Sequence, residues 1–441
     1  MVAFQNLLLG IVFGLVPVRL TVAPPVVTVD IVVDGQTVTT LRGEPWEVGL
    51  NLGPPMPHEI IAVGRDEEGR EMGRARQLIN VPRPAAEATL TVVPGRGGAR
   101  TTASLAWSTI DNAVPKRVYI ELDGQVLAVK DPARIELPEL DLARSHFLAA
   151  EVFFPKGVVA RAEASFGGEF ESTAVTDLTA YPVVLRPGAT LPPADEMQGW
   201  LRVGEQRPRI VAVEEGAHEV VVVFDQDAYG RFRGITPGQR GSRVLSYTIP
   251  LQESKGGNRL SALWAVPRSI RTEDGREVRG LFPASITLDL DIDELRKLIF
   301  RAPWPAADRS TQALANAVAT AGMQAAAMSR RRAVVLIVGE AAPDQSTISV
   351  EAARAFLESL NVPLFVWTPE RRISELELPG WGRPDDVSTD QQLQAAMGRV
   401  HKALQAQRIV WLAGSHLPTA VSIAPNVRQI FPARGVVRQE R

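Results

Sequence analysis

The period of the apolar positions changes about halfway along the chain. Up to about residue 180 the apolar residues fall in short alternating runs, such as Thr28–Val33, Glu47–Leu52 and Ile60–Gly64. Asp-Gly, Gly-Pro-Pro and Glu-Glu-Gly turns separate them. A period of two broken by such turns predicts small antiparallel sandwiches. In the second half the period lengthens. Leu314, Val318, Ala321, Ala325 and Met328 share one helical stripe, Val350, Ala353, Phe356, Leu357 and Leu360 a second, and Leu393, Met397, Val400 and Leu404 a third. Between and after them run the apolar strands Ala333–Val338, Val362–Trp367 and Arg408–Leu412. Helices alternating with fully apolar strands predict a parallel sheet covered on both faces.

An internal repeat divides the first half. Asp34-Gly35-Gln36 recurs as Asp123-Gly124-Gln125, and His58, Ala62 and Gly69 recur at a nearly equal shift as His146, Ala150 and Gly157. Each Asp-Gly lies between two apolar strands, the strongest short hairpin signal, because both central residues of that turn need positive φ. Two tandem immunoglobulin-like modules are expected, at residues 26–84 and 85–180, meeting near Pro82-Arg83-Pro84. A Pro-rich connection and a short hairpin turning at Gly204-Glu205 occupy 181–215, the α/β domain 216–415, and a tail expected as loop or edge strand 416–441. The fold class is thus multidomain: all-β immunoglobulin-like sandwiches followed by a doubly wound, Rossmann-like α/β domain.

Composition narrows the partners. Apolar residues make up 45% and charged residues 22%, and the formal net charge is −2. That balance provides no field to attract nucleic acid or an anionic membrane. The densest basic run, Arg330-Arg331-Arg332, reads as a solvated corner between helix and strand. With no cysteine in the chain, disulfides, thiolate metal sites and cysteine nucleophiles are excluded. In residues 1–25, Leu7–Val16 is long enough for a signal-peptide core and too short for a stable membrane span. No Lys or Arg precedes it, and Val18, Leu20 and Val22 alternate as in a first strand, so both readings stand.

The chain's most informative stretch is Glu219–Tyr229, apolar β-formers ending in Asp225-Gln226-Asp227-Ala228-Tyr229. A buried strand that delivers acids to its C-terminal edge places them where open α/β sheets bind ligands. This loop resembles the Asp-x-Ser-x-Ser metal loop of von Willebrand factor A domains. Trp200–Val213 resembles the hairpin that precedes the first strand in that family. Asp308–Leu314 resembles its Gly-Gly-Thr-x-Leu segment, and Arg331–Glu340 its Arg-Arg-Ala-Val-Val-Leu-Leu-Thr-Asp-Gly-Glu strand. The whole chain resembles bacterial VWFA-related proteins of acidobacterial type, in which immunoglobulin-like modules precede such a domain. The resemblance implies a divalent cation at the sheet's switch point, with Asp225 as the first aspartate, Asp227 in place of the first serine and Thr311 as the threonine ligand. Tyr229 replaces the second serine, and Val338 runs directly into Gly339-Glu340 where the family has a further aspartate. The metal site is therefore expected to be degenerate, without a cofactor; the alternative is a remodelled Mg²⁺ site on Asp225, Asp227 and Thr311, with Glu340 assisting.

Sequence patterns for catalysis are missing. There is no Gly-x-Ser-x-Gly, no phosphate-cradling Gly-x-x-x-x-Gly-Lys-Ser/Thr and no His-Glu-x-x-His. His58, His146, His218, His401 and His416 are scattered, with no pair at metal-ligand spacing, and His58 and His146 share a structural role through the repeat. Ser415-His416 would point to opposite faces of an extended segment. The acidic run Asp289–Glu294 lacks the glycine of a calcium loop and reads as the N-terminal end of the Leu295–Phe300 helix. The expectation is a non-enzymatic protein-binding or scaffold protein. By its resemblance it is periplasmic or extracellular, with a cytoplasmic location as the alternative.

Overall fold

The computed structural model describes all residues other than 7, 9, 83–85, 96–99, 110–112, 156–157, 169, 176, 226–227, 229–230, 232–256, 272–276, 286, 289, 296, 299–311, 340–343 and 435–441. The first sandwich has one antiparallel sheet in the order β1-β2-β5, from β1 (Val2–Phe4), β2 (Leu15–Val22) and β5 (Glu47–Asn51). Its second sheet, β4-β3-β6-β7, comprises β3 (Thr28–Val33), β4 (Gln36–Leu41), β6 (His58–Arg65) and β7 (Glu71–Ile79). Alternation along β2 turns Val16, Val18 and Leu20 inward against Val29, Ile31, Ile60, Ala62 and Ile79. Val16, Val18, Leu20 and Val22, which alternate in the sequence, lie on β2 and belong to the first sandwich's core or pack against it.

The second sandwich repeats the plan. One sheet is β12-β9-β8, made of β8 (Ala86–Val93), β9 (Thr102–Thr109) and β12 (Ile135–Glu136). The other is β11-β10-β13-β14-β15, made of β10 (Arg117–Leu122), β11 (Gln125–Val126), β13 (Ser145–Phe153), β14 (Val159–Gly167) and β15 (Phe170–Val175). Leu90, Leu105, Ile120, Leu148, Val152 and Phe166 fill the space between them. The equivalent Asp-Gly turns carry φ of 50° and 82° at Asp34 and Gly35, and 49° and 80° at Asp123 and Gly124, as the repeat requires.

A third β unit is assembled from two distant pieces of chain. β16 (Leu178–Leu185), β18 (Ile210–Glu214), β26 (Gln407–Ala413) and β28 (Ile430–Pro432) form an antiparallel sheet ordered β18-β26-β16-β28. β17 (Leu201–Val203) pairs with β27 (Val421–Ile423) beside it. Tyr181, Val183, Met197, Leu201, Ile210, Val410, Leu412, Val421 and Ile430 form its core. Three expectations are corrected here. The strand expected at Arg408–Leu412 belongs to this antiparallel sheet and not to the parallel one. The connection at 181–215 supplies strands and core residues, while the tail at 416–441 carries β28, an edge strand as its sequence suggests. The two arms around Gly204 share only a bridge between Val203 and Gln206 before joining different sheets. One physical reason covers the first case: β26 is buried on both faces, Val410 and Leu412 in this core and Ile409 and Trp411 against Phe147 and Ala149 of the second sandwich. A doubly buried antiparallel strand has the same apolar run as a central parallel one.

The α/β unit, inserted between β18 and β26, is built on parallel strands β19 (His218–Phe224), β20 (Arg259–Trp264), β23 (Arg331–Ile337), β24 (Leu364–Thr368) and β25 (Asp385–Asp386), ordered β20-β19-β23-β24-β25. Leu260 and Leu263 on the outer edge of β20 bridge antiparallel to Leu288 and Ala284. Counting that edge segment, the strands run in the 3-2-1-4-5-6 order of doubly wound sheets, with the switch point between β19 and β23. A hairpin of β21 (Arg268–Arg271) and β22 (Glu277–Leu281) intervenes. Helices α1 (Leu314–Ala326) and α2 (Val350–Ser359) cover one face through Val318, Ala321, Phe356 and Leu357; α3 (Arg371–Ser374) follows β24. α4 (Asp390–Gln405) covers the other face through Leu393, Met397, Val400 and Leu404, together with Leu295 and Leu298. Every residue of β19 is buried, as its apolar run requires.

Candidate functional site

The sheet's switch point is held together by backbone hydrogen bonds to an acid. Asp225 leaves β19 1% exposed, its N–H donating to Ile337 O at 3.0 Å, and its Oδ2 accepts from Gly339 N at 3.0 Å. Asp344 lies at the N-terminus of α1. Its oxygens accept from Leu314 N (2.9 Å) and Ala315 N (3.3 Å), while Ser346 Oγ accepts from Asn316 N at 3.1 Å. Ala313, the N-cap residue, has no side chain to do this, so a loop thirty residues downstream satisfies the helix's first N–H groups. The signal, Asp-Gln-Ser just before α2, was present in the sequence but pointed to no particular helix. Asp227 and Thr311, with Gln226, Tyr229 and Glu340, lie outside the described residues. Of the cation ligands that the resemblance implies, Asp225 alone lies among the described residues, and one of its oxygens accepts from Gly339 N, where the family has a further aspartate after β23.

At the opposite, N-terminal edge of the same sheet the structure brings together residues far apart in sequence. His218 opens β19 and is 3% exposed, with Nε2 3.3 Å from Asp291 Oδ1 but making no hydrogen bond. His401 on α4 places Nδ1 3.6 Å from Asp291 Oδ1 and 4.0 Å from Asp293 Oδ2. Asp291 is the N-cap of the turn Ile292–Glu294 in a capping box with Glu294, as expected of the acidic run, and Asn258 Nδ2 donates to its Oδ2 at 3.0 Å. Burial raises the Asp291 carboxyl's pKa, but His218, the Ile292 N–H and His401 outweigh it and hold it at about 2. Sequence spacing gave no hint of this cluster, because its members come from a strand start, a helix cap and a distant helix.

A buried ion network joins three units. Arg161 of β14 donates through Nη2 to both oxygens of Glu214 (2.9 and 2.8 Å) and through Nε to Glu163 (2.6 Å). Trp411 Nε1 also donates to Glu214, at 2.6 Å. Arg330 Nη2 reaches across to Glu151 Oε1 at 2.6 Å, and its Nη1 donates to Gly257 O at 2.7 Å. The Arg330–Arg332 triplet is therefore not the solvated corner its charges imply. Arg330 is 1% and Arg332 5% exposed; Arg331 donates to Leu404 O and Arg332 to Ala326 O. Burial pushes Arg332 down to about 10, still charged near neutrality.

A cleft of about 1130 Å³ opens between the antiparallel sheet and the α/β unit. Phe365, Trp381 and Phe431 line it together with Arg354, Arg383, Arg399, Lys402 and Arg434, against the acids Asp385 and Asp386. Ser415 and His416, adjacent in sequence, have separate partners: His416 Nε2 lies 3.0 Å from Ala413 O, and Ser415 Oγ accepts from Arg76 Nη2 at 3.5 Å. His58 and His146 bind the Asp of the repeated turn, Nδ1 to Oδ2 at 2.6 Å (Asp34) and 2.7 Å (Asp123). Among the described residues no helix is long and apolar enough to cross a membrane.

No family model matches the chain, and no curated protein matches it. Among solved structures, fibronectin(III)-like modules of Clostridium thermocellum CbhA are similar over 18% of this chain and 93% of theirs, at 22% identity and a TM-score of 0.17. A tetra-tandem repeat from the extending region of a large adhesion protein matches 42% of this chain and 51% of its own, at 13% identity and a TM-score of 0.14. SGBP-B of the Bacteroides ovatus mixed-linkage glucan utilization locus, solved with a mixed-linkage heptasaccharide, matches 65% of this chain and 87% of its own, at 12% identity and a TM-score of 0.13. TM-scores this low carry no argument, and the fold assignment stands on the sheets and their order.

Proposed function

We propose that this is a non-enzymatic protein-binding or scaffold protein, with a von Willebrand A-like α/β unit whose metal site is degenerate. The doubly wound order and an acid at the switch point support the A-like reading; Gly339 N–H on Asp225 supports the degeneracy. The observation that carries the binding role is the cleft, whose apolar floor and excess of cations, five against two acids, suit an acidic segment of a partner protein. Lys402 stands exposed on its rim. By its resemblance the protein works outside the cytoplasm. In an affinity capture from an envelope fraction, run with and without chelator, wild-type bait retains a protein partner in both buffers. The Arg399→Glu/Lys402→Glu bait loses it. Equal capture by both baits would refute the cleft.

The acid at the switch point favours a second reading, a Mg²⁺-dependent adhesion domain on Asp225, Asp227 and Thr311. It requires Mg²⁺ at millimolar concentration to raise the melting temperature of the wild type but not of Asp225→Asn. No rise in the wild type removes it.

A further inference from the structure

We propose that Asp291, Asp293 and His401, with buried His218 beside Asp291, form a binding site for one divalent transition-metal ion such as Zn²⁺, at the edge of the parallel sheet away from Asp225. The ligand atoms of Asp291, Asp293 and His401 all lie within 4.8 Å of one another. The separations decide what they are. His218 Nε2 and Asp291 Oδ1 are 3.3 Å apart, His401 Nδ1 and Asp291 Oδ1 3.6 Å, and His401 Nδ1 and Asp293 Oδ2 4.0 Å. The two longer ones exceed hydrogen-bond length, and neither imidazole nitrogen makes a hydrogen bond. Ligands about 2.1 Å from one cation at tetrahedral angles stand about 3.4 Å apart, close to this spacing.

Burial supplies the independent argument. His218 is 3% exposed, and its buried Nε2 stands 3.3 Å from Asp291 Oδ1 in an ion-pair contact without hydrogen-bond alignment, leaving a buried ring nitrogen aimed into the cluster. An imidazole with two carboxylates suits Zn²⁺ better than Mg²⁺, which favours all-oxygen shells. Two carboxylate charges also neutralise a dication, which lets it sit beside the buried end of β19. The supporting contacts are in place. Asn258 Nδ2 orients Asp291 through Oδ2, and Gln405 lies 2.7 Å from His401 Nε2, so that its amide, turned over, accepts the Nε2–H of a ring bound through Nδ1. Such an ion ties the first strand, the helix cap after the sheet edge and α4 into one structure, a closed site of structural type.

The test is isothermal titration of the untagged, chelator-stripped full chain with ZnCl2 alone, read beside Co²⁺ absorption spectra. The expected result is one ion per chain and visible cobalt bands of a low-coordinate N/O site. Asp293→Asn and His401→Gln, both at partly exposed positions, weaken binding about tenfold or more and erase the bands, while Asp225→Asn leaves both unchanged. Absence of stoichiometric binding in the wild type, or variants that bind Zn²⁺ as well as the wild type does, would overturn the site. Circular dichroism of each variant separates lost ligands from lost fold, and Asp293→Asn, with its side chain 60% exposed, keeps the test open if His401→Gln unfolds.

Discussion

Glu163 is one carboxylate more than its surroundings can neutralise. Glu151, Glu163, Glu214 and Glu219, with half-buried Glu121 beside them, share this interior with Arg161, Arg259 and Arg330, so that acids outnumber guanidiniums. Burial, then the charges of Glu214 and Glu151, push Glu163 up to about 7 against the pull of Arg161. An acid whose folded pKa lies above its unfolded value of 4.5 favours folding most below 4.5, and that contribution is lost as pH rises to 7. Glu163→Gln is expected to remove a fall on the order of 2 kcal/mol in unfolding free energy between those pH values, measured by urea titration at each pH. Asp291, held at about 2, acts in the opposite sense, its contribution present above 3.8 and lost only as pH falls toward 2. The repeated turn gives a second test. Asp34 accepts from Glu59 N at 2.8 Å and binds His58, and Asp123 does the same with Phe147 N and His146. Asp34→Ala is expected to cost about 1–3 kcal/mol, seen as a lower urea midpoint, and Asp123→Ala a similar amount. Both residues were legible as a pair from the repeat; that the histidine is the aspartate's partner was not, since 24 residues separate them.

Elements were legible wherever one face was apolar and the other polar. β2 shows it, alternating exposed and buried along its length, and so do α2 and α4 with their single stripes. α1 differs, since nine of its residues are buried and it meets α2 closely. A Cβ on Gly322 would fall 2.7 Å from Leu357 Cδ1, so this glycine is a spacer between two helices. Gly322→Val should destabilise by about 1–3 kcal/mol through overpacking despite the better helix propensity, and Leu357→Ala in the same chain should recover part of the loss. Calorimetric melting of the single and double variants decides it. Where an element is apolar on both sides its period is silent about its neighbours, and β26 was assigned to the wrong sheet for that reason.

At the scale of the molecule, the α/β unit leaves β18 and returns to β26 within one antiparallel sheet, and Arg330 bolts it to the second sandwich. Arg330→Ala removes the shortest ion pair of buried Glu151 and leaves it the longer one to Arg161 at 3.6 Å, an effect below the ~3–5 kcal/mol of a fully unpaired buried charge. Limited proteolysis of that variant is expected to cut near Asp177 and Gly257 while each sandwich persists; an unchanged digestion pattern would show that the apolar contact of Phe147 and Trp411 suffices without it. Gln407, whose amide bonds both the N–H and the C=O of Arg332 at 3.0 Å, completes the joint between β26 and β23.

The sequence by itself determined what neighbouring residues encode: periods of two and of 3.6, positive-φ Asp-Gly turns, an apolar strand ending in acid, and a helix capped by an acidic run. Each is a matter of local geometry, set before the chain folds back on itself. Tertiary structure alone decided which sheet received β26, why Arg330 and Arg332 lie buried, and how Asp291, Asp293 and His401 came to face one another beside His218. Those depend on which surfaces exclude water together, and a charge or an apolar run in sequence carries no address for the surface that will cover it.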